Sequence, residues 1–243
     1  MKIQLNIKEK NNENNNSNSK IKGILLDFDG TVVNSEQSRF RSIQQVLRKN
    51  FNIKFTQEIW ERTYKSLGTE LIFKLILEKN DIKTQIYSPS TLYEESKSIR
   101  TQIEEEEEVE VIRGFREFYE KCKNLELKCI ICSGGTSEHV QRILKKAHLD
   151  IQGFGRDEYE KRKPSSDAWI KGLEILQLRA DEVVLFDDAK TGIEAGLRAG
   201  ITKCCAINYD TEDFKNIKDI EKEIGISVYK YFKNWKEVDI EKL

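Results

Sequence analysis

Net charge, long apolar runs and histidine are all scarce in this sequence. Its 243 residues carry 41 Lys and Arg against 42 Asp and Glu, which leaves a formal net charge of −1. Without a large basic surface, nucleic acid is not expected as a partner. No apolar stretch approaches the roughly 18 to 20 residues that a membrane-spanning helix needs, so a membrane is not expected as a partner either.

The amino terminus lacks the features of a targeting sequence. Residues 1–10 alternate in charge and hold a short apolar patch between Ile3 and Ile7, which is neither a signal-peptide core nor an Arg-rich transit sequence. We therefore expect a cytoplasmic protein. Residues 11–20 are nearly all Asn, Ser or charged, and they bury too little apolar surface to offset the entropy of ordering. These features predict that residues 1–20 are a disordered, Asn-rich leader.

Cysteine and histidine are too few and too scattered for a disulfide framework or a histidine metal site. The five cysteines, an odd number, lie within strand and helix patterns and favour a reducing compartment. Cys129 and Cys132 form a CxxC, but residues three apart on a strand face opposite ways, which favours core packing. His139 and His148 are nine residues apart on one predicted helix, about 180° around its axis, so they cannot share a metal ion. We expect both histidines at the surface or its boundary.

The most informative feature that is present is a pair of carboxylates after an apolar run. Gly23–Leu26 has the pattern of a buried strand, and the motif Asp27-Phe28-Asp29-Gly30-Thr31 follows it directly. Residues two apart on an extended chain share a face, so Asp27 and Asp29 are predicted to project toward one spot while Phe28 points into the core. The two carboxylates repel each other unless a cation or a shared proton intervenes. An Asp-Gly turn between two hairpin strands is the alternative interpretation.

A second strand pattern ends in residues that suit a phosphate. Lys128–Cys132 is short and apolar, and Ser133 and Gly134 follow it with a hydroxyl and backbone N–H groups that can hold phosphate oxygens. Ser137 is the predicted N-cap of the next helix, because apolar residues then recur at helical spacing.

A third strand pattern also ends in carboxylates. Val183–Phe186 is apolar, Asp187 and Asp188 follow it, and a Gly-rich helix start comes next. Between the second and third strand patterns, Lys163 and Pro164 precede another amphipathic helix. The carboxyl ends of the strands in an open α/β sheet meet at one crevice, so these separate residues are expected to converge on one site.

The segment between Val32 and about Ile112 has a helical pattern instead. Phe40, Ile43 and Leu47 recur there at the spacing of an amphipathic helix, which predicts a helical subdomain. The acidic run Glu104–Glu108 lies where this segment ends, and it is predicted to be a solvated face.

Taken in order, these motifs resemble the haloacid dehalogenase-like (HAD) hydrolase superfamily, in the branch whose helical cap is inserted after the first strand. The motifs are Asp27–Thr31, Ser133, Lys163-Pro164, and Asp187-Asp188 with the downstream Gly192 and Gly200. The resemblance covers roughly residues 20 to 235, and four ordered motifs are far more specific than one. It implies an α/β fold, with a Rossmann-like parallel-sheet core of residues 21–33 and 113–243 and an inserted α-helical cap of residues 34–112.

The resemblance also implies a role for each site residue. Asp27 would be the nucleophile that forms an aspartyl-phosphate, and Asp29 would be the acid and base that serves the leaving alcohol and then water. Mg²⁺ is the implied cofactor, since hard oxygen ligands near a phosphate suit it. Its implied ligands are Asp27, Asp188, the backbone carbonyl of Asp29 and, directly or indirectly, Asp187. Lys163 would balance charge on the phosphate and on Asp27, and the implied substrate-binding residues are Ser133, Gly134 and Arg39.

Departures from the family pattern reduce the number of reactions that the resemblance allows. Asp29 is present, whereas the dehalogenases that name the family lack it, so dehalogenation is disfavoured. Where the sugar-phosphate mutases of this branch carry a His and an Arg, this chain has Arg39 and the Thr69-Glu70 pair, which weakens a mutase interpretation. Phosphonate hydrolysis uses a cap lysine, and Lys65 and Lys74 remain candidates for it.

The sequence thus predicts a Mg²⁺-dependent phosphatase that hydrolyses a small phosphomonoester, with a small phosphorylated metabolite as its partner. A sugar-phosphate mutase and a noncatalytic protein that binds a metabolite or a partner are the alternatives. The presence of Asp29 argues against a binding-only protein, which has no need of an acid and base. Neither the released alcohol nor an oligomeric state follows from these residues.

Overall fold

A computed structural model describes residues 20–65, 67–82, 86–209 and 211–243. The leader predicted for residues 1–20 therefore lies, apart from Lys20, outside the described residues. No helix within the described ranges is long and apolar enough to cross a membrane.

The centre of the fold is a parallel sheet, with strand order β3-β2-β1-β4-β5-β6 among the described residues. Its strands are β1 Gly23–Leu26, β2 Lys128–Cys132, β3 Gln152–Phe154, β4 Val183–Asp187, β5 Cys204–Ile207 and β6 Lys230–Phe232. Within β1, Leu26 is paired with Ile131 of β2 on one side and with Phe186 of β4 on the other. Unbroken apolar strands of this kind belong in a sheet whose two faces are both covered by helices. The predicted Rossmann-like α/β fold is confirmed.

Between β1 and β2 the chain forms the helical insertion, which we define as residues 36–106. Its helices are α1 Glu36–Phe51, α2 Gln57–Ile59 running into a π-helical turn at Trp60–Tyr64, α3 Thr69–Lys79 and α4 Pro89–Glu106. The apolar stripes of these helices bury a cluster of their own, which includes Phe40, Trp60 and Phe73.

The two connections between the sheet and the helical insertion run side by side. The Asn34 N–H donates to the Glu110 carbonyl at 2.8 Å, and the Ile112 N–H donates to the Val32 carbonyl at 2.9 Å. The two points at which the chain enters and leaves the insertion therefore lie next to each other.

Further helices cover the two faces of the sheet. They are α5 Phe115–Asn124, α6 Ser137–Lys146, α7 Asp167–Leu176, α8 Lys190–Arg198 and α9 Ile217–Ile224, with 3₁₀ turns at Arg156–Glu158, Ala180–Glu182, Trp235–Glu237 and Ile240–Lys242. Successive residues of β1 feed opposite faces, with Leu26 in one apolar cluster and Leu25 in the other. Cys129 and Cys132 likewise pack on opposite faces as predicted, and all five cysteines are free.

One prediction about a helix end is wrong, and another holds for all but one of its residues. The N-cap of α6 is Thr136 and not Ser137, because Thr136 has the extended conformation that lets its Oγ1 accept the His139 N–H at 3.3 Å. Ser137 is already the first residue of the helix. In the acidic run Glu104–Glu108, residues 105–108 are exposed as predicted, whereas Glu104 is buried because it faces the guanidinium of Arg142 on α6.

Candidate active site

Asp27 stands at the carboxyl end of β1, in the middle of the sheet. Its N–H donates to the Phe186 carbonyl at 2.9 Å, so the chain stays extended one residue beyond the strand. Phe28 is fully buried in the core, as its place in the motif predicts. Gly30 then turns the chain with a φ of 84°, at a point where a side chain would meet the Asp188 carboxylate. Because both neighbours of β1 are parallel to it, the hairpin alternative is wrong.

Three carboxylates meet at this edge of the sheet. Asp187 is the last residue of β4 and Asp188 follows it, and each of these two residues and Asp27 offers an oxygen atom within 4.8 Å of the others. The Thr31 hydroxyl donates to Asp188 Oδ1 at 3.0 Å. Gly192, in the first turn of α8, lies so close to Asp187 that a side chain there would overlap its carboxylate. The tight packing fixes the carboxylates at the crevice that the sheet topology predicts.

A single lysine bridges two of the three carboxylates. Lys163 precedes α7, and its Nζ lies 2.5 Å from Asp27 Oδ1 and 2.8 Å from Asp187 Oδ2. The same ammonium lies 4.0 Å from the ring centre of Trp169. Burial disfavours the charge, but Asp187 and Asp27 outweigh burial and raise the pKa of Lys163 above its usual range. The lysine is therefore a permanent cation in this site.

Negative charge exceeds positive charge in this cluster. Burial raises the pKa of Asp27 above its usual range, with Lys163 opposing the rise and Asp187 adding to it. Burial, followed by the charges of Asp27 and Asp187, also raises the pKa of Asp188. Carboxylate oxygens are the ligands that Mg²⁺ prefers in proteins, so the residues present fit a divalent cation.

Asp29 is held by residues at both ends of the helical insertion. Its Oδ1 accepts a hydrogen bond from the Ser35 hydroxyl, just before α1, and another of 3.0 Å from Arg100 on α4. Burial raises the pKa of Asp29, but Arg100 and His139 outweigh burial and lower that pKa to about 2. In this arrangement the predicted acid and base is an ionised carboxylate with a guanidinium partner.

A cavity of about 230 Å³ opens over these residues. Every predicted site residue except Ser133 lines it, and the helical insertion contributes Glu36, Arg39 and Lys65. Ser133 is fully buried beside Gly134, and its Oγ accepts the Gly135 N–H at 2.9 Å. The structure therefore brings Gly134 to the cavity and leaves the Ser133 hydroxyl behind it.

Arg39 lines the cavity with a guanidinium that is already occupied. Its Nε donates to Thr69 Oγ1 at 3.3 Å, and its two terminal nitrogens donate to the backbone carbonyls of Lys65 and Leu67 and to Glu36. The group thus holds the start of α3 in place. Of the two candidate lysines, Lys65 lines the cavity, whereas Lys74 does not line it and lies 4.0 Å from Glu78 on the exposed side of α3.

Sequence reasoning missed the residues that link the insertion to Asp29. Arg100 contacts Asp29 across 71 positions of sequence, and Glu104 contacts Arg142 across 38. No local motif marks these residues, because the contacts depend on how α4 packs against the sheet domain. The one signal was the i,i+4 spacing of Arg100 and Glu104 on a predicted helix, which is the spacing of an intrahelical ion pair.

Comparisons with known proteins agree with this geometry. The sequence profile of the haloacid dehalogenase-like hydrolases matches residues 24–206. A phosphorylated carbohydrates phosphatase of Thermotoga maritima is 23% identical over 200 residues, which cover 80% of this chain and 89% of that protein.

Solved structures give the same result for the fold. The beta-phosphoglucomutase of Clostridium difficile has a TM-score of 0.72 at 15% identity, covering 91% of this chain and 95% of its own. A HAD hydrolase of family IA from Entamoeba histolytica has a TM-score of 0.71 at 18% identity, covering 91% and 97%. The resemblance that the motifs predict is confirmed, and the chain belongs to the haloacid dehalogenase-like hydrolase family.

Proposed function

We propose that this protein is a Mg²⁺-dependent phosphatase that hydrolyses a small phosphomonoester through an aspartyl-phosphate on Asp27. One observation carries the proposal: Lys163 lies between Asp27 and Asp187, and Asp188 completes a carboxylate cluster beside them. Charges packed this densely cost stability when they are buried, so such clusters concentrate at functional sites.

The carboxylate cluster is the proposed metal site. Its ligands would be Asp27, Asp188, the backbone carbonyl of Asp29 and, directly or indirectly, Asp187. When bound, Mg²⁺ supplies positive charge against the carboxylates and the phosphate. Lys163 supplies a second positive charge next to Asp27, which lowers the repulsion between an anionic nucleophile and an anionic substrate.

Asp27 is the proposed nucleophile of a two-step displacement. Its carboxylate oxygen forms a bond to phosphorus while the bond from phosphorus to the ester oxygen breaks, and that oxygen leaves as an alcohol once it has gained a proton. Asp29 is ionised beside Arg100 in this arrangement, so it would first have to take up a proton, which the negative charge of a bound phosphomonoester favours. Asp29 would then give this proton to the leaving oxygen and would later take one from the water that cleaves the aspartyl-phosphate. The Gly134 N–H is the proposed partner of the phosphate oxygens. The Ser133 hydroxyl, which lies behind the cavity in this structure, would join it by turning toward the bound phosphate.

The cavity supports a small and polar substrate. Its volume of about 230 Å³ is below the roughly 300–1,000 Å³ that is typical of pockets for drug-sized ligands. Polar residues such as Glu36, Thr191 and Asn208 line it, and they suit a leaving group that carries hydroxyls. The relative from Thermotoga maritima is named for phosphorylated carbohydrates, and we extend that substrate class to this chain.

A sugar-phosphate mutase is the second candidate, because it would use the same Asp27 and Asp29 and differ only in the group that accepts the phosphoryl. The state of Arg39 favours water as the acceptor. Arg39 stands where the mutases of this branch carry a histidine, and its guanidinium is engaged with backbone carbonyls of Lys65 and Leu67.

A panel of phosphorylated metabolites, assayed with Mg²⁺ for free phosphate and for isomerised sugar phosphate, tests the proposal. We expect phosphate release without a bisphosphate activator. If a sugar phosphate is isomerised faster than it is hydrolysed, the protein is a mutase and the phosphatase proposal is wrong. If no compound of the panel yields either product, the remaining interpretation is a noncatalytic binding protein.

A further inference from the structure

An ion pair joins the helical insertion to Asp29. Arg100 on α4 donates from a terminal nitrogen to Asp29 Oδ1 at 3.0 Å, and the Ser35 hydroxyl donates to the same oxygen. The second oxygen, Oδ2, accepts no hydrogen bond from the residues that the structure describes, and Asp29 lines the cavity. One oxygen of Asp29 is thus held from the insertion side, and the other is left to the cavity.

Arg100 is itself fixed by a buried carboxylate one helical turn further along α4. Its Nε donates to Glu104 Oε1 at 2.7 Å, and the Ser38 hydroxyl donates to the same oxygen at 2.9 Å. The Glu104 side chain is only 7% exposed. A guanidinium with its Nε on Glu104 and a terminal nitrogen on Asp29 has little freedom to rotate, because its fork is planar and rigid.

Glu104 also ties this arrangement to the sheet domain. Its Oε2 accepts from Arg142 on α6 at 2.7 Å, and the ammonium of Lys146 on the same helix donates to the backbone carbonyls of Glu104 and Glu105 at 2.6 Å each. His139, also on α6, places one ring nitrogen 3.5 Å from Glu104 Oε2. A continuous set of contacts therefore runs from α6 through Glu104 and Arg100 to Asp29.

We propose that Arg100 is a positioning residue: anchored by Glu104, it holds Oδ1 of Asp29 so that Oδ2 faces the leaving group only while the helical insertion is seated on α6. The role of Asp29 in proton transfer rests on the proposed function. The contacts of Arg100 do not depend on that function. An insertion that moves away from α6 carries Arg100 with it. Asp29 is therefore oriented for proton transfer only when the insertion closes the cavity to water.

Kinetics of Arg100→Gln, with Arg62→Gln as a matched control, test this role. Arg62 is an arginine of the same insertion, 77% exposed and paired with Glu58 on the outer surface. For an alkyl phosphate, we expect Arg100→Gln to slow the burst that reports aspartyl-phosphate formation by about 10- to 100-fold, the size of effect that a small misplacement causes. KM should change by less than about threefold, because substrate binding is not the step affected.

Two further outcomes separate positioning from a general structural role. An aryl phosphate has a good leaving group that needs little proton donation, so its burst should slow less than that of the alkyl phosphate. Arg100→Lys keeps a positive charge and should recover part of the lost rate. Equal losses for the two substrates, or a change in KM alone, would overturn the proposal.

The anchor is tested by a double-mutant cycle. If Glu104 acts through Arg100, the Glu104→Gln and Arg100→Gln changes together should be no slower than Arg100→Gln alone, within about twofold. Losses that multiply would show that Glu104 acts by another route. Should Glu104→Gln fail to fold, Arg142→Gln removes the same anchor from the α6 side and enters the cycle in its place.

Hydrogen exchange provides a readout that needs no turnover. The backbone amides of residues 29–35 should exchange at least about threefold faster in Arg100→Gln than in Arg62→Gln, because the segment loses its contact with α4. Unchanged exchange would overturn the proposal whatever the kinetics. Faster exchange in a protein that hydrolyses no phosphomonoester would leave the Arg100 contact standing and would remove the proposed function together with the role of Asp29.

Discussion

The sheet edge and the helical insertion handle charge in opposite ways. At the sheet edge, three carboxylates, Asp27, Asp187 and Asp188, face the single cation Lys163. In the network that joins the insertion to α6, two carboxylates, Asp29 and Glu104, are matched by two guanidinium groups. The Lys146 ammonium adds a further positive charge to the second cluster. Negative charge therefore exceeds positive charge in the first cluster but not in the second. This difference is why we propose a metal ion and a phosphate at the sheet edge, whereas the side chains of the insertion network, which we call the clamp, bind one another.

The two regions also differ in how rigidly the fold sets them. Asp27 and Asp187 follow paired strands, and the hydrogen-bonded register of β1 with β4 determines their separation. Arg100 and Glu104 reach their partners only through the packing of α4 against α1 and α6. The positions at the sheet edge are thus set by strand pairing, whereas the clamp depends on how the insertion packs on α6. Variants at the sheet edge and variants in the insertion should therefore have different effects on activity and stability.

Replacing the nucleophile should have the largest effect. Asp27→Asn keeps the size of the side chain but removes the attacking oxygen, so we expect phosphate release to fall by at least about 10⁴-fold. Beryllium fluoride, which mimics a phosphoryl group on a carboxylate, should bind the wild type and not the variant. Asp219→Asn, an exposed change on α9, is the control. Full activity in Asp27→Asn would exclude the covalent route.

Removing the cation Lys163 from the sheet edge should have the second-largest effect. Lys163→Met keeps most of the side-chain length but leaves Asp27 and Asp187 without their shared ammonium, so turnover should fall by about 10²- to 10⁴-fold. Without Mg²⁺, breaking this buried pair should cost about 3–5 kcal/mol in the free energy of unfolding, measured with urea. The exposed neighbour Lys161→Met should change neither quantity. A stable and active Lys163→Met would show that the site does not depend on its one internal cation.

The sheet edge was accessible to sequence reasoning because its geometry is local. An apolar run followed by a carboxylate predicts a strand end, and parallel strand ends converge, so Asp27, Asp187 and Asp188 were expected at one place. The same logic was less accurate for Ser133. It follows β2 as expected, but its hydroxyl is turned to the Gly135 N–H and does not line the cavity. The direction of one side chain depends on packing that strand patterns do not contain.

The insertion was predictable as helices but not as contacts. Amphipathic spacing indicates which face of α1 or α4 is buried, yet it does not say what lies across that face. Arg39 was expected to meet a substrate anion because it stands where the mutases of this branch carry a histidine, and its guanidinium instead donates to chain carbonyls in this structure. Glu104 was expected in water as part of an acidic run, and it is the buried centre of the clamp.

A metal should stabilise the sheet edge and leave the clamp unchanged. With Mg²⁺ at 100 times its Kd, the free energy of unfolding should rise by about 2.7 kcal/mol, since the ion binds the folded state. Asp188→Asn should lose this gain. In the absence of metal the same variant should be at least as stable as the wild type, because burial and repulsion already disfavour the Asp188 charge. Equal stabilisation by Mg²⁺ in Asp188→Asn would place the ion elsewhere.

The smallest effect is expected at Arg39, where the two regions adjoin. If its guanidinium is a brace, Arg39→Ala should lower the free energy of unfolding by about 1–3 kcal/mol, because the hydrogen bonds of a charged group to Thr69 and to two chain carbonyls are lost. Arg39→Lys should not restore stability, because an ammonium cannot reproduce the fork that reaches Thr69 and the Lys65 and Leu67 carbonyls together. KM for sugar phosphates should stay within about threefold of the wild-type value, since four of the five N–H donors of the group are already used within the protein. A large rise in KM with unchanged urea unfolding would reverse the assignment, and Arg39 would then belong with the substrate-binding residues of the sheet edge.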